Sequence, residues 1–187
     1  MRVAFCQIGR KFIGLLFYFS RMEPIQLKFK DDGKIPNSKF PLLIYRNVYS
    51  EEKADPDYIK SHFEIHDWTN AWDNGVYDYQ HYHSNTHEAM GIYSGYATLQ
   101  FGGEQGQQVS IEEGDVIVIP AGVGHQCISA SEDFGVIGAY PDGKDYDIKK
   151  GEKSERPEAD ENISKVPLPD NDPVYGKMEG LISLWRP

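Results

Sequence analysis

The chain has 187 residues, a formal net charge of −10 and 13% aromatic residues. This length suits one domain with a substantial core, and the negative charge argues against nucleic acid or an anionic membrane as partner, because both require basic patches. The two cysteines, Cys6 and Cys127, are too few for a disulfide framework, and no apolar run approaches the ~20 residues that cross a membrane. We therefore expect a cytoplasmic protein, unless its N-terminus directs export.

Residues 1–21 differ in composition from the rest of the chain, since they include four basic residues and no acidic one. An apolar run at residues 12–19 follows a basic pair, which is the order found in a secretory signal peptide. Export is therefore one interpretation. The interpretation that we favour is that Met22 is the true start, because the domain-like sequence begins there. We accordingly separate an atypical extension, residues 1–21, from a single domain at residues 22–187.

Two strands and one helix are predicted in the first part of this domain. Residues 25–30 alternate apolar and polar side chains, and residues 41–49 form a second apolar run with a proline at its start. One helix should follow, because Asp55 can cap it and a proline occupies its first position. His62 and His66 are four residues apart and could bind a metal together. We favour a solvated or packed helix face, since no carboxylate motif accompanies the pair.

An Asn-Gly turn signal precedes a predicted strand at residues 76–84, which contains His81 and His83. Residues two apart in a strand face the same side. Both imidazoles, together with Tyr77 and Tyr79, should therefore point to one face. The two tyrosines either line a pocket beside the histidines, as proton donors or as groups that position a ligand, or belong to the core with satisfied hydroxyls.

A carboxylate and a third histidine follow on later strands. Glu88 begins the next predicted strand, and His125 follows a tight Pro-Ala-Gly-Val-Gly corner. These groups can converge with the histidine pair, and imidazole together with carboxylate suits a divalent transition metal. His87 should face away from Glu88, and we expect it at the surface. Cys127 shares the side of His125 and is expected either beside the pocket or as a small buried hydrophobic residue.

The remaining elements complete an all-β pattern with one short helix. Short strands separated by Gly, Pro and Asn turns indicate a sandwich or barrel; we predict them at residues 96–101, 108–111, 116–120 and 133–140. The chain is polar and contains several prolines from residue 144 to 172, which predicts an arm that wraps the barrel surface. Residues 181–185 should form a final strand or an anchor, or contact a second subunit.

The spacing of the candidate ligands resembles the two motifs of the cupin superfamily. The positions that match are Gly75, His81, His83, Glu88 and Gly95 in the first motif, and Gly114, Pro120, Gly122 and His125 in the second. Ser129 stands where the second motif has asparagine, a departure that leaves every ligand position intact. From Met22 to about Trp185, the sequence also resembles the YjlB-type single-domain cupins.

This resemblance implies a double-stranded β-helix, also called a jelly-roll barrel, with its core at about residues 76–140. It also implies a homodimer, and a metal site whose ligands are His81, His83, Glu88 and His125. The same ligand set accepts Fe, Mn, Ni, Cu or Zn, so we expect one divalent transition metal ion of undetermined identity.

Three histidines and one carboxylate leave coordination positions free, as catalytic metal sites do. We therefore expect a metalloenzyme that acts on a small molecule, with dioxygenase-like or isomerase- or epimerase-like chemistry. The alternative is a non-catalytic binding module, whose metal is structural or whose pocket senses a small ligand. The fold does not decide between them, because cupins host many chemistries.

Overall fold

The computed structural model describes residues 23–186 of the chain. The expectations about the N-terminal extension, Cys6 and the start at Met22 lie outside these residues. Nine strands occur in the described range: β1 (Ile25–Leu27), β2 (Leu42–Tyr45), β3 (Trp68–Asn74), β4 (Glu88–Ser94), β5 (Tyr96–Phe101), β6 (Gln107–Glu112), β7 (Val116–Ile119), β8 (His125–Ala130) and β9 (Gly135–Pro141).

The strands pair antiparallel in two sheets, which confirms the all-β jelly-roll prediction. The larger sheet has the order β1-β2-β7-β4-β9-β3, and the smaller one has the order β6-β5-β8. The larger sheet includes three strands that precede residue 76, so the sheets extend beyond the predicted core.

Strands β2 and β7 are buried on both faces, which explains their continuous apolar sequences. Leu42 and Ile44 lie in a cluster that also contains residues of the smaller sheet, and this cluster is the barrel interior. Leu43 and Tyr45 alternate with them and pack in a second cluster with the helices. The larger sheet therefore separates two hydrophobic cores.

Strand β3 was not predicted, because its sequence lacks the alternation that marks a strand. Its pairing with β9 shifts register between Thr69 and Trp72, and Asn70 within this bulge has a positive φ of 54°. The bulge changes which side chains face the barrel partway along the strand. Trp72 then packs against Gly138 of β9, where a side chain would collide with the indole ring.

The first helix, α1 (Pro56–Glu64), begins where the sequence predicts it. The Asp55 carboxylate accepts a hydrogen bond from the backbone N–H of Tyr58 at 3.0 Å, as an N-cap does. Ile59 and Phe63, one turn apart, are both fully buried against the larger sheet. The apolar stripe of the helix thus determines how it packs.

The structure gives His62 and His66 separate partners rather than a common ligand. Nδ1 of His62 shares a hydrogen bond of 2.9 Å with the Tyr49 hydroxyl, and Nδ1 of His66 lies 2.8 Å from the Pro173 carbonyl oxygen. Both side chains are only partly exposed. These contacts support the packed helix face that we favoured over a metal pair.

The C-terminal part contains helices that were not predicted. Beyond α1, the described chain forms a 3-10 helix (Lys153–Glu155), α2 (Glu158–Lys165) and α3 (Leu181–Trp185). The described chain thus has more helices than the one predicted, and residues 181–185 form a helix rather than the strand that was one of the alternatives. Leu181 and Trp185 are four residues apart, so a helix places both on one buried face, and α3 serves as the predicted anchor. Within residues 23–186, no helix combines the length and hydropathy needed to cross a membrane.

Asp172 connects this C-terminal segment to the barrel. Its carboxylate is fully buried and accepts the Tyr45 hydroxyl at 2.5 Å and the backbone N–H of Leu181 at 2.8 Å. It also accepts the backbone N–H groups of Val174 and Tyr175. One carboxylate therefore satisfies four donors, of which one is on β2 and three are in the C-terminal segment.

We predict that Asp172→Ala lowers the free energy of unfolding by about 3 kcal/mol, because it leaves several buried donors without an acceptor. Urea unfolding followed by circular dichroism measures this change. Asp170→Ala is the matched control, since the Asp170 side chain is almost fully exposed and its removal should change the stability by less than about 0.5 kcal/mol. Equal effects of the two substitutions would contradict this role of Asp172.

Candidate metal centre

Backbone pairing brings the histidines of the two motif segments together. His81 and His125 form an antiparallel bridge, in which the N–H of each donates to the carbonyl of the other at 3.1 and 2.8 Å. The predicted strand at residues 76–84 is otherwise wrong, because the strand pattern there is limited to isolated bridges at His81 and Tyr82. Residues 76–80 are all at least partly exposed, and the Tyr77 carbonyl accepts the Cys127 N–H of β8 at 2.8 Å.

Each histidine ring is oriented by a backbone carbonyl. Nδ1 lies 3.1 Å from the Tyr79 oxygen in His81, 2.5 Å from the Asp147 oxygen in His83 and 3.2 Å from the Val123 oxygen in His125. A carbonyl can only accept, so Nδ1 carries the proton in all three rings. This tautomer leaves Nε2 with a free lone pair, which is the arrangement of histidines that bind a metal.

Glu88 meets these histidines from β4. Its Oε2 lies 3.3 Å from Nε2 of both His83 and His125, and the three histidines offer nitrogen atoms within 4.8 Å of one another. All four side chains are buried. Glu88 Oε2 nevertheless has no hydrogen-bond partner of good geometry. A buried carboxylate oxygen without a donor of good geometry, beside three imidazole nitrogens, fits a divalent cation.

The protonation states of Glu88 and His81 also suit metal binding. Burial, followed by the proximity of His125, lowers the pKa of His81 to about 3. Burial works against the charge of Glu88 as well, but His83 and His125 outweigh it and hold the pKa of Glu88 well below its usual range. The pKa of His83 is raised, because the Glu88 carboxylate overcomes the opposing effect of burial. At neutral pH, Glu88 is therefore ionised and His81 is neutral, the forms that ligate metals.

The candidate ligands line a cavity of about 270 Å³, to which the two sequence-predicted tyrosines contribute unequally. Tyr77 lines the cavity and is 46% exposed, so its hydroxyl is accessible both to a bound molecule and to solvent. Tyr79 is not among the lining residues. Its ring stacks on Tyr77, with 4.9 Å between the ring centroids. The structure thus brings Tyr77 into the cavity wall and leaves Tyr79 outside it, although the centroid of the Tyr79 ring lies 5.6 Å from that of His81.

Tyr140 is a site residue that the sequence reading missed. Its hydroxyl donates to Glu88 Oε1 at 2.9 Å and accepts the indole N–H of Trp72 at 2.8 Å. Tyr140 lies on β9, which pairs with β4, so the pairing of these strands places it beside Glu88. Periodicity predicted the strand, but only the order of strands in the sheet could have revealed this neighbour.

The C-terminal arm also contributes to the site. The Asp147 backbone carbonyl orients His83, while the Asp147 side chain accepts hydrogen bonds from the backbone N–H and the hydroxyl of Ser84. Tyr146 lines the cavity and stacks on Tyr140, with 4.6 Å between the centroids. The arm was predicted to wrap the surface. Nothing in its polar sequence indicated that it also completes the site.

Two further expectations concern neighbours of the ligands. His87 was expected at the surface, which is wrong: it is 2% exposed, and its Nδ1 accepts the Ala121 N–H at 2.9 Å. Burial lowers the pKa of His87 to about 4, so the ring is neutral. Cys127 is partly buried against the barrel interior and is not among the residues that line the cavity. This placement supports the hydrophobic role rather than a role beside the metal.

Comparisons with known proteins agree with this fold. A family model described as "Cupin domain" matches residues 72–137. The chain is 46% identical to the uncharacterized protein YjlB of Bacillus subtilis (strain 168) over 158 residues, which cover 84% of this chain and 93% of that protein.

The similar solved structures include functionally unrelated proteins. Acireductone dioxygenase from Bacillus anthracis matches with 15% identity and a TM-score of 0.37, over 58% of this chain and 78% of that chain. Procruciferin, an 11S globulin from Brassica napus, matches with 20% identity and a TM-score of 0.35, over 44% of this chain but only 21% of that chain. At this level of similarity, neither structure bears on the function. The close similarity to YjlB and the match to the cupin model together show that the chain belongs to the cupins, as a YjlB-type member.

Proposed function

We propose that this cupin is a metal-dependent enzyme that acts on a small molecule in the cavity, with dioxygenase-like or isomerase- or epimerase-like chemistry. His81, His83, Glu88 and His125 would hold one divalent transition metal ion. The observation that carries this proposal is the buried Glu88 Oε2, which has no good hydrogen-bond donor and lies 3.3 Å from two imidazole nitrogens. A buried charge that lacks a good hydrogen-bond donor is costly, and a cation at this point would offset that cost.

When bound, such an ion supplies Lewis-acid or redox chemistry to a substrate oxygen. The protein residues would hold the ion and orient the groups that bind it. Tyr140 occupies Glu88 Oε1 with a hydrogen bond, so Oε2 is the oxygen left to face the metal. Trp72 in turn donates to Tyr140 and fixes the direction in which that hydroxyl points.

Tyr77 is the residue that we propose for proton transfer, with Tyr79 supporting its ring. Tyr77 lines the cavity, and its ring lies edge-on to His81, with 5.1 Å between the centroids. Its partly exposed hydroxyl can hold a proton near a bound substrate and exchange it with solvent. Tyr79 stacks on this ring and limits its movement.

The open cavity favours an enzyme over the alternative of a binding module with a structural metal. Structural metal sites are closed by protein ligands, whereas catalytic sites keep a position accessible. Here the candidate ligands line a cavity whose other walls include exposed residues such as Asp73 and Tyr77. The expectations of a homodimer, and of no nucleic-acid or membrane partner, stay predictions.

Removing two ligand histidines should abolish metal binding. We expect about one equivalent of a divalent transition metal in the parent protein and almost none in His81→Ala/His83→Ala, because only one histidine and one carboxylate remain. Plasma mass spectrometry after reconstitution and gel filtration measures the metal content of both proteins. His62→Ala/His66→Ala is the matched control, since it removes two histidines outside the site and should retain the metal. Equal metal contents in the two double variants would contradict the ligand assignment.

Tyr140→Phe should weaken metal binding while preserving the fold. The substitution keeps the buried ring but leaves Glu88 Oε1 without its donor, and losses of such orienting contacts typically reduce metal affinity about 10- to 100-fold. Competition with a chromogenic chelator measures the affinity. Tyr96→Phe, at an exposed tyrosine remote from the cavity, should leave it unchanged. An affinity that does not change in Tyr140→Phe would exclude the orienting role.

Chelation separates the enzyme from the module with a structural metal. We expect the metal-stripped protein to stay folded and to unfold cooperatively, because two hydrophobic clusters hold the sheets together without the site. Circular dichroism during thermal unfolding, with and without chelator, checks this. If the chelator unfolded the protein at room temperature, the metal would be structural and the enzyme proposal would lose its main support.

A further inference from the structure

We propose that the cavity takes a small monocyclic aromatic compound that carries no carboxylate or phosphate group. This substrate class rests on the proposed function, because it assumes a metal held by the four candidate ligands. Three properties of the cavity lead to it, namely its aromatic walls, the charges that line it and its size.

The walls of the cavity are formed largely by aromatic rings. Tyr77, Tyr140 and Tyr146 line it. Tyr146 stacks on Tyr140 with ring planes 23° apart, and Tyr77 stacks with planes 24° apart on Tyr79, which lies outside the lining. Tyr77 lies edge-on to His81, and Tyr146 lies edge-on to His83, with 5.0 Å between the latter two centroids. The stacks therefore flank the histidine cluster. A planar ring bound between them would meet aromatic faces and edges, which favour aromatic partners.

The charged residues that line the cavity are acidic or are the candidate ligands. Asp73 lines it together with Glu88, and none of the described lining residues is a lysine or an arginine. The Tyr93 hydroxyl donates to Asp73 at 2.8 Å, which fixes this carboxylate. Lys150 lies 4.5 Å from the centre of the Tyr79 ring and does not line the cavity.

This charge distribution disfavours anions. Carboxylates and phosphates are usually bound by arginine, lysine or clustered N–H donors, and burial without such partners is costly. An anionic substituent directed away from the metal would find none of these basic side chains and would approach Asp73. A neutral or ammonium substituent in the same place avoids the repulsion. Asp73 is therefore the residue that we expect to select against anions.

The size of the cavity suits a compound with one ring. Its volume of about 270 Å³ lies below the range of roughly 300–1,000 Å³ that is typical of pockets for drug-sized ligands. The hydroxyls of Tyr77 and Tyr146 can donate to, or accept from, polar substituents on that ring. These features together describe a small neutral or ammonium-bearing aromatic compound with hydroxyl groups.

A matched series of three probes tests this class without any turnover. The three probes share the same vicinal diol and differ in one substituent. Catechol carries no charged substituent, protocatechuate carries a carboxylate, and 3,4-dihydroxybenzylamine carries an ammonium group. Calorimetric titration of the zinc-loaded protein gives their dissociation constants, and gel filtration afterwards checks that zinc is retained. We expect protocatechuate to bind about tenfold more weakly than catechol, and the amine to bind at least as tightly as catechol.

Two substitutions assign the selectivity and the affinity to named residues. Asp73→Asn should reduce the preference for the amine over protocatechuate severalfold. In the parent protein, added salt should reduce the same preference, because salt screens an exposed charge. Glu132→Gln, at an exposed carboxylate outside the cavity, is the control. Tyr77→Leu should weaken catechol binding about three- to tenfold, whereas Tyr96→Leu, at an exposed tyrosine remote from the cavity, should not.

The outcomes distinguish this inference from the proposed function. If protocatechuate bound as tightly as catechol or more tightly, the exclusion of anions would be wrong while the metal site stood. If zinc were retained but catechol did not bind, the aromatic class would be wrong. If the protein did not bind zinc, the proposed function would fail together with everything that rests on it.

Discussion

The buried carboxylate of Glu88 is the group on which the arrangement of the site depends. A charge removed from water costs several kcal/mol unless it is paired and hydrogen-bonded, so its neighbours must be placed precisely. Oε1 receives the Tyr140 hydroxyl, and Oε2 faces two imidazoles. The pairing of Glu88 with Ile119 on β7 fixes its backbone. The pairing of β4 with β9 therefore supports this carboxylate as well, because it places Tyr140 beside it.

Three parts of the chain provide that support, and they are far apart in the sequence. The barrel strands carry Glu88, His125 and Tyr140, the loop before β4 carries His81 and His83, and the arm provides the Asp147 carbonyl. The arm is therefore part of the site and not only a cover on the barrel. This explains how a polar, proline-containing segment can be ordered, because its backbone and side chains satisfy groups that would otherwise lack partners.

The sequence predicted the parts of this structure that depend on local pattern. Alternation and turn signals located most strands, and Asp55 marked the start of α1 to the residue. The spacing of the histidines and Glu88 indicated the site, because ligand type and order along the chain are local properties. Tyr140, Trp72 and Asp147 are different, since they reach the site through sheet order and the path of the arm. The bulge in β3 likewise breaks the periodicity on which a strand prediction depends.

His87 shows why alternation alone was misleading at the centre of the site. The alternation correctly directs His87 away from Glu88, but the opposite face of β4 is covered rather than exposed. Trp185 of α3 lies 4.9 Å from the His87 ring, measured between centroids, and the Ala121 N–H binds its Nδ1. The strand is thus held from both faces at this point. Because Glu88 is the next residue, the contacts of His87 restrict the backbone that carries the carboxylate, and the C-terminal helix stabilises the site without contacting it.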